Sequence, residues 1–560
     1  MSVPDRGVLT GLILIGLALR LAAIDWGMGI RQFDGYYVGN ESKVWRSTAG
    51  FPGNYLTNKQ YIYGTALQNA VGAALLPAKA LWRAGYRRPF LGLEYHQLVI
   101  LAHRAVNAVL GALTLLFVYL LGRLLYDNRT GILAAGLLCF SLVHVTHSGF
   151  GTLDIAMGFL GVVTILLAAR AFETGRRRDF LYLGLVGGFL AATKISGLLI
   201  LAVPCVLFVN QAFTFRDGLR GASAKAEASA ARLPRDRSPT FELARNLSLS
   251  LLVALAVFVV STPQVLLHLG AYMDAMAEQR LLWVARVEHS LPTIAGEWVS
   301  VTARAMTPVV ATLAGIGLLL GRVGVKRGQH ALEYALLAYI AATILFWRAY
   351  LQPRFMIPIV PILCLYAARP AILLMGQRRR SLRAAGIVVA TVALSAGAFA
   401  STAEVLYRRN PDTRTAAAAY IARHVPAGAS LAVASTTAEN PWTTHRWRYP
   451  VVDTSKYVLT SVLEHPDYII TSSYALDQME DALASGHLDS DLNWPQEMAS
   501  SWYRYIVPKP EDFAFFSSLL REEEYVIAAR WQSPPPVPVD TPEPEIRLYR
   551  RRSVGRTGAE

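Results

Sequence analysis

Cysteine is scarce. The three residues, Cys139, Cys205 and Cys364, all fall inside apolar runs and none lies in the polar C-terminal part. That pattern excludes a disulfide framework and any CxxC metal site. Charge is also thin, at 17% of 560 residues, and the 39 acidic residues are outnumbered by 54 Lys and Arg. The C-terminal part has no Gly-rich phosphate loop, and the chain has no internal repeat of the kind many transporters carry. What is abundant is hydrocarbon: 53% of the residues are hydrophobic. The mean hydropathy is +0.34, too high for a soluble globule, so many side chains must face lipid. A net charge of +15 would suggest nucleic acid in a soluble chain. Here the basic residues collect in short connections between apolar runs, which is the positive-inside pattern, and no nucleic-acid partner is expected.

With about 20 apolar residues or somewhat fewer as one crossing, the runs 8–24, 98–122, 131–147, 155–172, 180–193, 195–213, 246–263, 303–321, 331–347, 355–375 and 384–402 predict about 11 transmembrane helices. The first run is broken by Arg20, and Leu21-Ala22-Ala23 could pass for a signal-peptide cleavage site. Reading the run as an uncleaved anchor keeps the count coherent. Residues 61–84 are apolar but punctuated by Gln68, Asn69, Lys79 and Arg83, which suits an interfacial or re-entrant helix.

Charge orients these runs. With a cytoplasmic N-terminus, the inner connections hold Arg123, Arg129, Arg176 to Arg178, Arg322, Lys326, Arg327, Arg378 to Arg380 and Arg383, together with the basic loop 214–245. The outer connections 148–154, 264–302 and 348–354 hold only Arg280, Arg286, Arg348 and Arg354. The expected fold is a polytopic α-helical membrane protein of the cell (inner or plasma) membrane. Its transmembrane part spans 1–402, and 403–560 forms a soluble extracytoplasmic α/β domain. In that domain 412–425 reads as an amphipathic helix, 430–434, 468–471 and 525–529 as strands, 510–520 as a helix, and the Pro-rich stretch 534–544 as a tail linker or edge.

Several polar residues of the outer connections then converge on one face. The stretch Arg31 to Arg46 follows the first run and carries Asp34 and Glu41 where the interface begins. Carboxylates kept beside hydrocarbon are usually used or hidden in water, so these two are the candidate acid/base groups, with Glu41 favoured. His144, His147 and Asp154 flank the turn after the third run. They could hold a metal, or be two interfacial histidines and a helix cap; Asp154 and His147 suit a polar site wall. Lys194 lies between two apolar runs, where it could snorkel harmlessly or neutralise a phosphate at headgroup depth. Arg354 opens the tenth run and could grip phosphate oxygens with its fork, or simply anchor the interface beside Trp347 and Tyr350. Arg280 and Arg286, with Trp283, sit in the outer loop 264–302, which is long enough to cover a site.

The order of these features resembles the GT-C superfamily of membrane glycosyltransferases, with the protein O-mannosyltransferase and aminoarabinose transferase branch (glycosyltransferase family 39) most similar. The residues that carry the resemblance are Asn40-Glu41, Tyr61-Ile-Tyr-Gly64, Arg104, His147 to Asp154, Thr193-Lys194, and Arg354-Phe355 with Pro358 and Pro361. Where the family usually shows Asp-Glu this chain has Asn40-Glu41, so Glu41 or Asp34 would serve as base. The resemblance implies transfer of a hexosyl or pentosyl group, with inversion, from a polyprenyl-phosphate donor to an acceptor hydroxyl on protein, lipid or glycan outside the cytoplasm. Lys194 and Arg354 would then bind the donor phosphate, with Asp154, His147, Tyr63 and Arg280 as site wall. No cofactor motif accompanies these residues, and a divalent metal stays open. The other readings are a transporter or flippase of a polar or lipid-linked substrate, and a non-catalytic envelope-assembly protein.

Overall fold

Each of the eleven apolar runs carries a helix in the computed structural model, which describes residues 3–26, 41–59, 63–86, 90–221, 239–284, 291–320, 330–346, 353–410, 413–426, 429–434, 451–453, 466–472, 519, 521–533 and 545–552. Among these residues, four helices have the length and apolar composition to cross a bilayer: Tyr95–Leu125, Asp154–Thr174, Phe241–Ser261 and Arg380–Arg409. Two bent pairs reach that length and composition only when taken together, Asn128–Cys139 with Leu142–Ser148 at 60°, and Ala295–Met306 with Pro308–Leu319 at 119°, each a broken span or a re-entrant loop. Of the remaining runs, some give shorter helices, such as Arg177–Thr193 and Val360–Met375, while 195–213 falls mostly in the 24-residue Leu198–Gly221 helix. An apolar run therefore marks a helix here more faithfully than it marks a straight full-length crossing. The stretch expected to be interfacial or re-entrant carries two short helices, Ala66–Ala74 and Leu76–Arg83.

The chain divides into two units, Met1–Ile24 with Lys43–Val405, and Asp25–Ser42 with Leu406–Glu560. In the first, Leu115, Tyr119, Leu138, Val162, Phe180, Ile357 and Tyr366 form one buried cluster. Large apolar residues such as Val260, Leu319 and Phe399 stay exposed. Helices approach closely through small residues. A Cβ on Gly184 or Gly188 would meet the carbonyl oxygens of Ser250 and Ala254 at 2.3 and 2.6 Å. Backbones can pack this tightly only where a side chain is missing.

The break after Cys139 is stitched rather than left open, as polar backbone in hydrocarbon must be. Buried Arg20 donates to the carbonyls of Leu138 (3.4 Å) and Cys139 (3.5 Å), the last turn of the Asn128–Cys139 helix, where a cation also suits the dipole. Ser401 donates to the Phe140 carbonyl at 2.8 Å, and Ser141 to that of Ala305 at 3.3 Å. The arginine that interrupts the first apolar run thus closes a gap between helices.

The second unit holds a five-stranded sheet in the order β2-β1-β3-β5-β4, with β1 Leu431–Ala434, β2 Val451–Asp453, β3 Tyr468–Ser472, β4 Tyr525–Trp531 and β5 Ile546–Arg551. The first three strands are parallel and the last two pair antiparallel. Ala417, Ile421 and Val425, spaced four residues apart along and just past the Thr413–His424 helix, pack on Leu431, Ile470, Ile546 and Leu548. The strands expected at 430–434, 468–471 and 525–529 match β1, β3 and β4. Strand β5 follows the Pro-rich stretch 534–544, and β5 and β2 stand at residues where no element was expected. The helix expected at 510–520 lies outside the described residues, apart from Leu519.

Candidate active site

The site is built on the turn 149–153 between the Leu142–Ser148 and Asp154–Thr174 helices. Asn107, buried on the Tyr95–Leu125 helix, donates through its amide to the carbonyls of Phe150 and Thr152, both at 2.6 Å. These two bonds fix the turn and so set where Asp154 begins its helix. There, a carboxylate in the first turn also complements the helix dipole.

Lys194 arrives from another direction. The Arg177–Thr193 helix ends at Lys194, whose backbone is extended, and a single 3-10 turn, Ile195–Gly197, then leads into the next helix. From this corner Nζ of Lys194 reaches Oδ1 of Asp154 at 2.5 Å. The hydroxyl of Ser196 meets the Met157 sulfur at 3.0 Å, tying the corner to the Asp154 helix. Gly64 backs the corner from behind, since a Cβ there would lie 1.8 Å from the Ala192 carbonyl oxygen. The close approach is why Tyr63-Gly64 and Thr193-Lys194 share one place.

Arg354 sits in the 3-10 turn Pro353–Met356. The turn is held by the Tyr339 hydroxyl, which donates to the Phe355 carbonyl, and by Ile357, which packs on Gly158 one turn along the Asp154 helix. Lys194, Arg354 and His147 all bear electrostatically on Asp154. Burial first, and then the Asp154 carboxylate, push the Tyr63 phenol up to about 12, against the opposing pull of Arg354. Asp154, Lys194, Arg354, His147 and Tyr63 therefore occupy one neighbourhood in which two permanent cations face one carboxylate. Such a set can hold an anion that brings more negative charge than Asp154 supplies.

Glu41 heads the Glu41–Gly50 helix and is buried. Asp34 lies outside the described residues. Arg280 falls within the Leu269–Val284 helix, its side chain outside the described set, and Arg286 outside it altogether. His144 turns away from Asp154, its Nδ1 lying 2.9 Å from Nη2 of Arg20. Among the described residues no group of three His, Cys, Asp or Glu could hold a metal ion. Sequence reasoning missed Asn107 and Tyr339. Asn107 had a signal, an amide three residues after Arg104 inside an apolar run and so on the same helix face.

Residues 96–219, which include Asn107, His147, Asp154 and Lys194, match the family described as dolichyl-phosphate-mannose-protein mannosyltransferase. No curated protein matches the sequence. Among solved structures, the Archaeoglobus fulgidus oligosaccharyltransferase in the apo form has a TM-score of 0.50 at 13% identity, covering 86% of this chain and 71% of that one. The same enzyme tethered with an acceptor peptide containing the NVT sequon has a TM-score of 0.50 at 15% identity, with the same coverage. ArnT from Cupriavidus metallidurans bound to undecaprenyl phosphate has a TM-score of 0.47 at 12% identity, covering 97% of this chain and 98% of that one. At these identities the likeness to the oligosaccharyltransferase is one of fold. The family model matches 96–219 alone, and the shared fold extends over most of the chain.

Proposed function

We propose that the chain is an inverting glycosyltransferase that moves a hexosyl or pentosyl group from a polyprenyl-phosphate donor to an acceptor hydroxyl on the extracytoplasmic face of the cell membrane. The observation that carries this reading is the cation excess around Asp154: Lys194 and Arg354 converge on one buried carboxylate beside an extensive apolar core. A donor on a prenyl chain fits such a place, since its tail can stay in hydrocarbon while its phosphate meets the two cations. The family matched by 96–219 is itself described by a dolichyl-phosphate donor.

In this reaction the acceptor hydroxyl attacks the anomeric carbon from the face opposite the phosphate. The new C–O bond forms as the old one breaks, and the polyprenyl phosphate leaves with the bonding pair. A carboxylate, Glu41 or else Asp34, accepts the hydroxyl proton. Lys194 and Arg354 balance the charge growing on the departing phosphate, so that no acid is needed to protonate it. Asp154 holds Lys194 in place, and Tyr63 stays protonated and able to donate.

The test is covalent product formation by the detergent-solubilised full chain with polyprenyl-phosphate hexoses and pentoses. Glu41→Gln should be nearly inactive while remaining folded. Full activity of that variant together with loss in Asp34→Asn would move the base to Asp34, and donor transport across vesicles with no covalent product would replace the enzyme reading by a transporter.

A further inference from the structure

Gln68, on the Ala66–Ala74 helix, is fully buried, and neither its Oε1 nor its Nε2 meets a hydrogen-bond partner. A carboxamide taken out of water is costly unless its donors and acceptor are satisfied, and native folds leave few such groups without a purpose.

The segment that carries Gln68 is clamped at both ends. Thr65, just ahead of the helix, has a saturated hydroxyl: it donates to the Ser261 carbonyl at 3.2 Å and accepts from Gln264 Nε2 at 3.0 Å and Asn69 Nδ2 at 3.3 Å. Gly64, four positions before Gln68, presses on Ala192 beside the Lys194 corner. Gly72, four positions after it, presses on the end of the Glu41–Gly50 helix, where a Cβ would lie 2.8 Å from Phe51 Cβ and 3.1 Å from the Thr48 carbonyl oxygen. Residues four apart stand over one another on a helix face. Gln68 therefore faces the junction between the Lys194 corner and the end of the Glu41–Gly50 helix. Tyr63, five positions back along the chain, belongs to the Asp154 neighbourhood.

In the polyprenyl-phosphate reading, the corner takes the departing phosphate and the helix is headed by a candidate base. The sugar must then lie between these two elements, because the acceptor attacks from the face opposite the phosphate. A sugar ring presents hydroxyls that both donate and accept. A carboxamide answers with two donors on nitrogen and an acceptor on oxygen, so one glutamine can bond two ring hydroxyls at once.

We propose that Gln68 binds ring hydroxyls of the donor's sugar and so helps set which sugar is accepted, while Lys194 and Arg354 hold the phosphate. The proposal rests on the polyprenyl-phosphate reading of the Asp154 site.

Equilibrium binding to the full chain in detergent separates the two parts of the donor, with bare undecaprenyl phosphate as one probe and its glucose, mannose and arabinose esters, in turn, as the others. The unaltered chain should bind at least one ester tenfold or more tightly than the bare carrier. In Gln68→Leu that gain should shrink to less than twofold, with affinity for the bare carrier unchanged. Exchanging an unpartnered amide for an apolar side chain of similar size is neutral or stabilising. The thermal midpoint without ligand should therefore hold or rise in Gln68→Leu while sugar recognition is lost. A lowered midpoint with equal loss of carrier and ester binding overturns the proposal and makes Gln68 a residue of the fold. An ester gain that survives Gln68→Leu, or esters that bind no better than the bare carrier, overturns the role of Gln68 and leaves the donor reading standing. A chain that binds neither carrier nor esters overturns the donor reading and this proposal with it.

Discussion

Asp154 and Lys194, 40 positions apart in sequence, meet at 2.5 Å between Oδ1 and Nζ with 4% and 14% of their side chains exposed. A pair this buried is worth little against an apolar replacement, yet removing one partner strands the other, at roughly 3–5 kcal/mol. Asp154→Asn and Lys194→Ala should therefore each lower the unfolding midpoint in detergent. The double variant should be more stable than the sum of the two losses implies. Transfer should fail in Lys194→Ala and in the double variant, because relieving the stranded charge does not return a cation to the donor phosphate, and should fall in Asp154→Asn, where Lys194 keeps its charge but loses the partner that holds it in place. Thermal unfolding and transfer rates measured on the same preparations check this, and strictly additive destabilisation would show that the two side chains do not act as a pair.

Gly64 presses on the corner that carries Lys194, and there is no room for even a methyl group. A Cβ at 1.8 Å from the Ala192 carbonyl oxygen meets backbone, which cannot swing aside as a side chain can. Gly64→Ala should lose about 1–3 kcal/mol of stability and shift Lys194 away from its position, with transfer falling more than tenfold. Gly315→Ala, whose Cβ would find nothing within 4 Å on the Pro308–Leu319 helix, is the matched control and should be neutral or slightly stabilising. Equal behaviour of the two variants would dismiss the close-approach argument.

Asn107 positions the Asp154 turn without being placed near the transferred group. Asn107→Asp keeps the shape but replaces the donating amide by an acceptor, so both 2.6 Å bonds to Phe150 and Thr152 are lost. Each lost bond is worth about 1 kcal/mol, and each carbonyl left unsatisfied adds to that. Hydrogen exchange across 149–153 should rise in Asn107→Asp while exchange in the rest of the bundle holds. The transfer rate should fall in step with that local opening. A slower enzyme with unchanged exchange in the turn would assign Asn107 a different role.

The helices were legible in the sequence because long apolar runs have few other solutions in lipid. The neighbourhood of Asp154, Lys194 and Arg354 was legible only through sidedness: loop charges put all three on one face, and the structure brings them together. The bends were hidden, since the break at Phe140-Ser141 carries neither proline nor glycine and is held by Arg20, Ser401 and Ala305 from distant segments. Arg20 read as an interruption of an apolar run because, apart from the Gly16 carbonyl, its partners lie more than a hundred positions away. Strand β5 was overlooked behind the prolines that precede it, although Ile546 and Leu548 alternate as a half-buried strand should.

In the second unit Glu545 accepts hydrogen bonds from Arg530 Nη2 at 2.7 Å and from Arg547 Nε. Burial alone would raise its carboxyl, but the bonds and charges of the two arginines outweigh burial and hold it below the ordinary 4.5. The folded state thus favours the ionised form. The stability this gives is fully present above the unfolded value and is lost as pH falls through the lower folded value. Hydrogen exchange in strands β4 and β5 should accordingly quicken as pH drops below about 4.5, after correction for intrinsic exchange rates. Glu545→Gln should exchange faster at neutral pH and lose that acid dependence, because its amide has no proton to gain. An unchanged acid response in Glu545→Gln would move the titrating group elsewhere in the sheet. Glu524, which accepts from Arg551 Nε at 3.0 Å, would be the next carboxylate to replace.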